Sequence, residues 1–219
     1  MNILAFDTSA GTLAAAFSDP SGTSVSVGKP GMHHAEGLMA AIDDCLHRSG
    51  AEKTDIDLVA CALGPGSFTG LRIGMATAKA LALALGIPWV AVPTLDCIAA
   101  GHDSFPGPVV SVLDGRKGRV YAALYIHGVR SGEWLDIAPG ALVGMLDSWP
   151  EVLFAGPDSA LFTEYALERP GFATETDDPA RRASAMASLA LKEFEANGPA
   201  PDDSGPLYLR EPEIGIKAS

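Results

Sequence analysis

The chain has 219 residues, of which 47% are hydrophobic and 19% are charged, and its formal net charge is −12 at pH 7. This length fits one large or two small domains with a sizeable buried core. The acidic balance excludes a protein that wraps nucleic acid by itself, because phosphate binding needs a basic surface. The first residues show no signal peptide. Cys45, Cys61 and Cys97 have no paired spacing, which fits core positions in a reducing compartment, so we expect a cytoplasmic protein.

The first half of the chain predicts three short strands followed by alternating helices and strands. In chain order these elements are strands at 2–7, 12–18 and 23–28, a helix at 34–48, a strand at 56–63, a helix at 75–85, a strand at 88–92 and a helix at 95–101. Residues 73–92 are apolar enough to resemble a membrane span. Because Lys79 and the turn at Gly86 interrupt that stretch, we expect helix, turn and strand there, and no membrane.

A similar order begins again after the Gly- and Pro-rich segment 101–108. The elements expected there are strands at 109–113, 119–127 and 133–137, a helix at 139–149, a strand at 152–155, a helix at 158–167, a last helix that begins at Pro179 and an extended tail at 206–210. Three antiparallel strands followed by alternating helix and strand, met twice, predict an α/β protein of two duplicated halves.

The segment 64–74, Gly-Pro-Gly-Ser-Phe-Thr-Gly-Leu-Arg-Ile-Gly, lies between a predicted strand and a predicted helix. A loop of this composition exposes backbone N–H groups and lets another group approach the backbone closely, so it is a binding site or an interface. Its glycine spacing fits neither a P-loop nor a dinucleotide fingerprint. Ser67 also lacks the flanking glycines of a nucleophile elbow, so we expect it in a turn or at a helix cap.

Small residues recur every four positions along the helix that follows, at Gly70, Gly74, Ala78 and Ala82. Such a stripe lets another backbone approach closely. Two interpretations are open: the stripe packs this helix on its own sheet, or it contacts a helix of another subunit.

The duplicated order, with Asp7-Thr8-Ser9 at the first hairpin, resembles the actin, heat-shock-70 and sugar-kinase (ASKHA) superfamily. Within it, five segments together resemble the TsaB (YeaZ) family: 4–9, 34–38, 64–74, 119–121 and 206–210. The resemblance covers essentially the whole chain. It implies two actin-like halves, each a βββαβα-type mixed sheet with flanking helices, at 1–104 and 105–219. The last helix and the tail are expected to pack back toward the first half.

The family resemblance implies a non-catalytic subunit for the synthesis of threonylcarbamoyladenosine in tRNA. Its expected partners are a TsaD-type catalytic paralogue and a TsaE-type P-loop ATPase, with a homodimer also allowed and tRNA contacted only through the complex. The partner helices would be 34–48 and 70–85. The interface residues expected from the resemblance are His34, Glu36, Leu38, Gly70, Gly74, Ala78 and Ala82.

Nucleotide binding is a separate expectation. In the superfamily an Asp near the first hairpin holds metal-bound phosphate, a place that Asp7 occupies here. The expected loop contacts to a nucleotide are Asp7, Thr8, Ser9, Gly64, Gly66, Ser67, Thr69 and Arg72. Pro157 replaces the second glycine of the usual adenosine-binding pair, so no intrinsic cofactor is expected. ATP or ADP would bind at a subunit junction. The alternative function is a stand-alone ATP-dependent phosphotransferase in which Asp7 holds the phosphate. In the other interpretation of this residue, the Asp7 carboxylate only caps a turn.

Two further features bear on function. The metal-binding paralogue carries two histidines four apart on a helix, whereas His33 and His34 are adjacent and point about 100° apart, so neither a metal site nor peptidase activity is expected. Arg116, Lys117 and Arg119 form a tight basic cluster at a predicted hairpin. It is either a solvated turn or a contact to tRNA or to an acidic partner.

Overall fold

The structure is a computed structural model that describes residues 1–29, 31 and 33–210. Within these residues the chain forms two five-stranded mixed sheets. The first sheet has the order β3-β2-β1-β4-β5. Its strands are β1 (Ile3–Asp7), β2 (Ala14–Asp19), β3 (Gly22–Val27), β4 (Leu58–Gly64) and β5 (Trp89–Pro93).

The second sheet has the order β8-β7-β6-β9-β10. Its strands are β6 (Val109–Arg116), β7 (Arg119–Ile126), β8 (Val129–Ile137), β9 (Val152–Gly156) and β10 (Phe172–Thr176). The α-helices are α1 (His34–Ser49), α2 (Phe68–Leu85), α3 (Thr94–Ala99), α4 (Pro139–Met145), α5 (Thr163–Glu168) and α6 (Pro179–Asn197), with short 3₁₀ helices at Lys53–Asp55 and Ser159–Phe162.

The two sheets repeat one topology. In each, the first three strands pair antiparallel. The fourth and fifth strands then add in parallel on the other side of the first strand. This repetition confirms the predicted duplication, because each half is a mixed sheet with flanking helices.

Several predicted boundaries differ from the structure. Helix α2 begins at Phe68, so more than half of the segment 64–74 is the start of a helix rather than a loop. The helix predicted at 158–167 is a 3₁₀ turn followed by α5. Strand β10 was not predicted, because Phe172–Thr176 is half-exposed and shows no alternation of apolar and polar residues. Its strand conformation comes from parallel pairing with β9.

Both faces of the first sheet are covered by helices. Alternating side chains of β1 divide between them: Leu4 and Phe6 lie in the cluster that contains the buried faces of α1 and α2. Ile3 and Ala5 lie in the cluster that contains α6. Helix α6 therefore packs on the first sheet although it follows the second sheet in the chain. This placement brings the start of α6 beside the β1–β2 hairpin.

Candidate functional site

The glycine turn after β4 is attached to the β1–β2 hairpin. The Ser67 backbone N–H donates to the Ser9 carbonyl at 2.7 Å. At position 66, a Cβ atom would lie 2.5 Å from that same Ser9 oxygen, so only glycine fits there. Ser67 is the N-cap of α2, and its Oγ accepts a hydrogen bond from the Gly70 N–H at 3.2 Å. The hydroxyl therefore has the capping role expected from the sequence.

The stripe of small residues on α2 packs against this chain's own first sheet. A Cβ at Gly70 would lie 1.9 Å from the Thr8 carbonyl oxygen, and one at Gly74 would lie 2.5 Å from Thr8 Oγ1. Ala78 and Ala82 are buried in the same core. The stripe therefore packs α2 on its own sheet, which is the first of the two interpretations, because the sheet occupies the space beside these four residues.

The other expected interface residues lie on α1. Leu38 is 2% exposed and belongs to the core. Glu36 is exposed in the first turn of α1, where a carboxylate interacts favourably with the helix dipole. His34 is half-buried, and its Nε2–H donates to the Ala10 carbonyl at 2.9 Å. Only Glu36 of these three presents its side chain to solvent.

Asp7 lies at the end of β1 and is fully buried, and both of its carboxylate oxygens have partners. Oδ1 accepts the Ser9 N–H at 2.7 Å, and Oδ2 accepts a hydrogen bond from Arg182 of α6. Arg182 is 2% exposed and also forms an ion pair with Asp177. The carboxylate expected to hold metal-bound phosphate is thus neutralised by an internal guanidinium.

The electrostatics of this cluster follow from its burial. Burial alone would lower the pKa of Arg182, but the charges of Asp7 and Asp177 outweigh burial and raise it. Burial raises the pKa of Asp177 even though the guanidinium beside it acts in the opposite direction. Arg182 was missed in the sequence. A signal was present: Arg182 shares one helical stripe with Met186 and Ala190, which is an unusual place for a charge.

A cavity of about 1070 Å³ separates the two halves beside this cluster. It is bordered by the β1–β2 hairpin, the start of α2, the β6–β7 hairpin and the tail. The expected site residues that line it are Ser9, His34, Gly66, Ser67 and Thr69. The other expected nucleotide contacts, Asp7, Thr8, Gly64 and Arg72, do not line the cavity.

Gly64 and Arg72 instead hold the C-terminal tail. Gly64 has a φ of 114°, and a Cβ there would lie 2.6 Å from the Leu207 carbonyl oxygen. The Leu207 N–H donates to the Leu63 carbonyl at 2.8 Å. The Arg72 guanidinium lies 3.8 Å above the Phe68 ring, and its Nε donates to the Tyr208 hydroxyl at 3.1 Å. The tail is therefore docked on the first half.

The tail also contacts the basic hairpin of the second half. Arg210 donates two hydrogen bonds of 2.8 Å to the Asp136 carboxylate and one of 3.1 Å to the Gly115 carbonyl. Arg119 donates to the same carboxylate at 2.8 Å. Burial alone would raise the pKa of Asp136, but the hydrogen bonds from Arg119 and Arg210 outweigh it and lower the pKa. Arg119 is thus a structural residue, whereas the Arg116 side chain is 86% exposed.

The three cysteines are buried free thiols, and the described residues contain no cluster of potential metal ligands. Burial raises the pKa of the Cys45 thiol to about 11 and that of Cys61 to about 12, and Cys97 is also buried and free. Across residues 1–29, 31 and 33–210, no three His, Cys, Asp or Glu side chains converge as metal ligands. One helix, Phe68–Leu85, is long and apolar enough to cross a membrane by length and composition, with a mean hydropathy of 1.3. Its buried stripe lies on the first sheet.

Comparisons with known proteins agree with this architecture. A family model described as "TsaD: tRNA N6-adenosine threonylcarbamoyltransferase" matches residues 30–174. The chain is 35% identical to the tRNA threonylcarbamoyladenosine biosynthesis protein TsaB of Bacillus subtilis, over 84% of this chain and 83% of that one. It is 30% identical to TsaB of Escherichia coli, over 96% and 95% respectively.

A solved structure shares the fold. It is the crystal structure of a Pseudomonas aeruginosa protein described as similar to peptidase YeaZ, with a TM-score of 0.81 and 25% identity, covering 95% of this chain and 99% of that one. The two TsaB relatives, at 35% and 30% identity, span 84% and 96% of this chain. The chain belongs to the TsaB (YeaZ) family.

Proposed function

We propose that this chain is the non-catalytic scaffold subunit for threonylcarbamoyl transfer to N6 of the adenosine next to the anticodon of tRNAs. In this proposal a TsaD-type paralogue carries the chemistry and pairs with the chain through α1 and α2. Two relatives named TsaB are called tRNA threonylcarbamoyladenosine biosynthesis proteins, which supports the pathway. The TsaD family model covers α1 and α2, so a TsaD-type protein offers equivalent helices for a pseudo-symmetric pairing.

The observation that carries the proposal is the apolar outer face of α2. Only 33% of this apolar helix is buried. Its exposed residues include Ala76, Ala80, Leu83 and Ala84, and the Leu83 side chain is 87% exposed. Met39 of the neighbouring α1 is 39% exposed. An exposed row of apolar residues along one helix face is typical of a protein–protein interface. The partner surface is therefore the face of α2 opposite to the small-residue stripe.

The cluster around Asp7 supports the non-catalytic part of the proposal. A metal-dependent phosphotransferase needs a carboxylate that is free to hold the metal-bound phosphate. Both oxygens of Asp7 are engaged within the chain, one of them by Arg182. Ser67 is likewise occupied as a helix cap. This arrangement favours the scaffold over the stand-alone phosphotransferase.

Other parts of the assembly stay predictions. These are the TsaE-type ATPase, a homodimer in the absence of TsaD, ATP or ADP at the subunit junction, and tRNA contact through the complex. The cytoplasmic location also stays a prediction. The Arg116 side chain of the basic hairpin is 86% exposed, so it is the residue to test for a tRNA contact.

The proposal is tested by placing a charge on the outer face of α2. Leu83→Glu is expected to abolish the stable one-to-one complex with the TsaD-type protein of the same organism, because a buried unpaired carboxylate opposes docking. The matched control is Leu167→Glu on α5, where the leucine is 82% exposed. The readouts are size-exclusion chromatography with light scattering and threonylcarbamoyl transfer to tRNA.

The expected result is that Leu167→Glu pairs and supports transfer as the wild type does, while Leu83→Glu does neither and keeps the wild-type circular dichroism spectrum. Normal pairing of Leu83→Glu would refute the proposed surface. Transfer activity by the TsaD-type protein without this chain would refute the scaffold function. A wild-type complex with two copies of this chain and no TsaD would favour the homodimer.

A further inference from the structure

We infer that the segment 200–210, called the strap below, holds the two halves of the chain at a fixed angle, and that Arg210 is its latch on the second half. When the latch is released, the halves move apart at the cavity between them. Pairing through the outer face of α2 does not require a strap, so the inference extends beyond the proposed function. It depends on how the strap is held at each of its ends.

The first part of the strap is fixed to the first half through its backbone. The Ala200 N–H donates to the Trp89 carbonyl of β5 at 2.8 Å. The Lys79 ammonium of α2 donates to the carbonyls of Asp202 and Ser204, at 2.6 Å and 2.7 Å. A segment without regular secondary structure is therefore held at three backbone groups by β5 and α2.

The end of β4 is shaped to receive the next part of the strap. The Leu207 N–H donates to the Leu63 carbonyl at 2.8 Å. Gly64 has a φ of 114°, and a Cβ there would lie 2.6 Å from the Leu207 carbonyl oxygen, so glycine leaves the space that the strap needs. The Tyr208 ring lies 5.1 Å from the Phe68 ring of α2. This anchor on the first half involves backbone and ring contacts that do not depend on Arg210.

Two residues later the strap contacts the second half. The Arg210 guanidinium donates to the Asp136 carboxylate of β8 through both Nε and Nη2, at 2.8 to 3.1 Å, and to the Gly115 carbonyl of β6 at 3.1 Å. Arg119 of β7 holds the same carboxylate at 2.8 Å. The side chains of Arg210 and Asp136 are only 27% and 20% exposed. A two-pronged contact of this kind fixes orientation as well as charge, so Arg210 is a specific latch.

The strap is a non-covalent connection in addition to two covalent ones. The backbone passes to the second sheet between α3 and β6 and returns between β10 and α6. Leu95 of α3 lies in a core cluster with the second sheet and Cys97 in one with the first, so α3 is the pivot. Units joined in this way move relative to each other unless a large apolar interface holds them. Tyr208 and Arg210 border the cavity of about 1070 Å³ between the halves, so the strap restricts opening there.

The test measures the distance between the halves in the full chain. Nitroxide labels are attached to Ser131→Cys on β8 and Ser188→Cys on α6, which are exposed positions, and the distance is measured by pulsed double electron–electron resonance. The native cysteines are buried, so the label reacts with the introduced ones. The labelled chain is diluted into unlabelled chain, so that distances between two copies do not contribute.

The variant is Arg210→Ala, and the matched control is Arg116→Ala, which removes the same charge from a side chain that is 86% exposed. Arg210→Ala is expected to lengthen the mean distance and broaden its distribution, while Arg116→Ala keeps the wild-type distribution. Arg210→Lys should give an intermediate distribution, because an ammonium keeps the charge but cannot make the two-pronged contact. The Leu207 amide should exchange hydrogen at the wild-type rate in Arg210→Ala, because its anchor on Leu63 remains.

Three results would overturn the inference. A wild-type distribution in Arg210→Ala would show that the strap docks without restraining the second half. Equal changes in Arg210→Ala and Arg116→Ala would assign the effect to net charge rather than to the latch. Faster exchange of the Leu207 amide in Arg210→Ala would show that Arg210 holds the whole strap on the first half. Because the isolated chain is used and α2 is unchanged, failure here leaves the pairing proposal standing.

Discussion

Removal of Arg182 should destabilise the protein far more than removal of its neighbour. In Arg182→Ala the carboxylates of Asp7 and Asp177 lose their shared counterion, and their side chains are 0% and 14% exposed. Breaking a buried ion pair by deleting one partner costs about 3–5 kcal/mol. Domains of this kind are typically stable by about 5–15 kcal/mol, so we expect a large fall in the free energy of unfolding.

The matched control is Arg181→Ala, one residue earlier on α6. Arg181 pairs with Glu175 at 2.6 Å, but the two side chains are 34% and 41% exposed. An exposed pair contributes about 0–1 kcal/mol. Urea unfolding of the three proteins, followed by circular dichroism, measures the difference. Equal losses in the two variants would refute the claim that Arg182 neutralises a buried charge cluster.

The pH dependence gives an independent check on the same cluster. Burial already raises the pKa of Asp177 although the guanidinium opposes it, so removing Arg182 should raise that pKa further above the value of about 3.9 for an unfolded Asp. A group whose folded pKa is raised contributes its stability below the unfolded pKa and loses it as pH rises through the folded pKa. The deficit of Arg182→Ala should therefore shrink as the pH falls toward about 4. A deficit that is constant with pH would contradict the electrostatic explanation.

Three further results are expected. Gly70→Ala should destabilise the protein by about 3 kcal/mol, because the new Cβ would lie 1.9 Å from a backbone oxygen of the first hairpin. Gly144→Ala in α4 has open space around the new Cβ and should stabilise the protein by up to about 1 kcal/mol. Thermal melts of the two variants with the same midpoint would contradict this. Tyr208→Ala should cost about 1–2 kcal/mol and speed hydrogen exchange of the Leu207 amide, and unchanged exchange would show that the tail docks without that ring. Burial lowers the pKa of His34, so the neutral ring contributes folding stability above its ordinary pKa of 6.5, and that stability is lost as the pH falls below 6.5. His34→Gln should therefore weaken the dependence of the urea midpoint on pH between about pH 7 and 5, and parallel wild-type and variant curves would contradict this.

Much of the fold follows from local signals in the sequence. The two sets of antiparallel strands are marked by turn residues and by alternation of apolar side chains, and α1, α2 and α6 are marked by helical spacing and by glycines at their C-termini. Strand β10 lacks such a signal, because its conformation depends on a neighbour rather than on its own residues. Local patterns therefore predict elements that bury one face, and they miss an edge strand that pairing alone creates.

The site was predicted less well than the fold. The stripe at Gly70 and Gly74 was recognised as a place of close approach, yet sequence spacing does not say which backbone approaches. The structure shows that it is Thr8, 62 residues earlier in the chain. The surface left for a partner is the opposite face of α2, where Leu83 is exposed. Small residues mark contact, and only the packing of the sheet decides whether that contact lies inside the chain.

The sequence by itself determined the duplicated α/β order, the family and the turn that begins α2, because these depend on residues that are close in the chain. Only the tertiary structure decided which group neutralises the buried Asp7 carboxylate. Its guanidinium partner, Arg182, lies 175 residues away on a helix that crosses back to the first sheet. A buried charge must be neutralised by whatever packs against it. No local pattern in the sequence records which side chain that is.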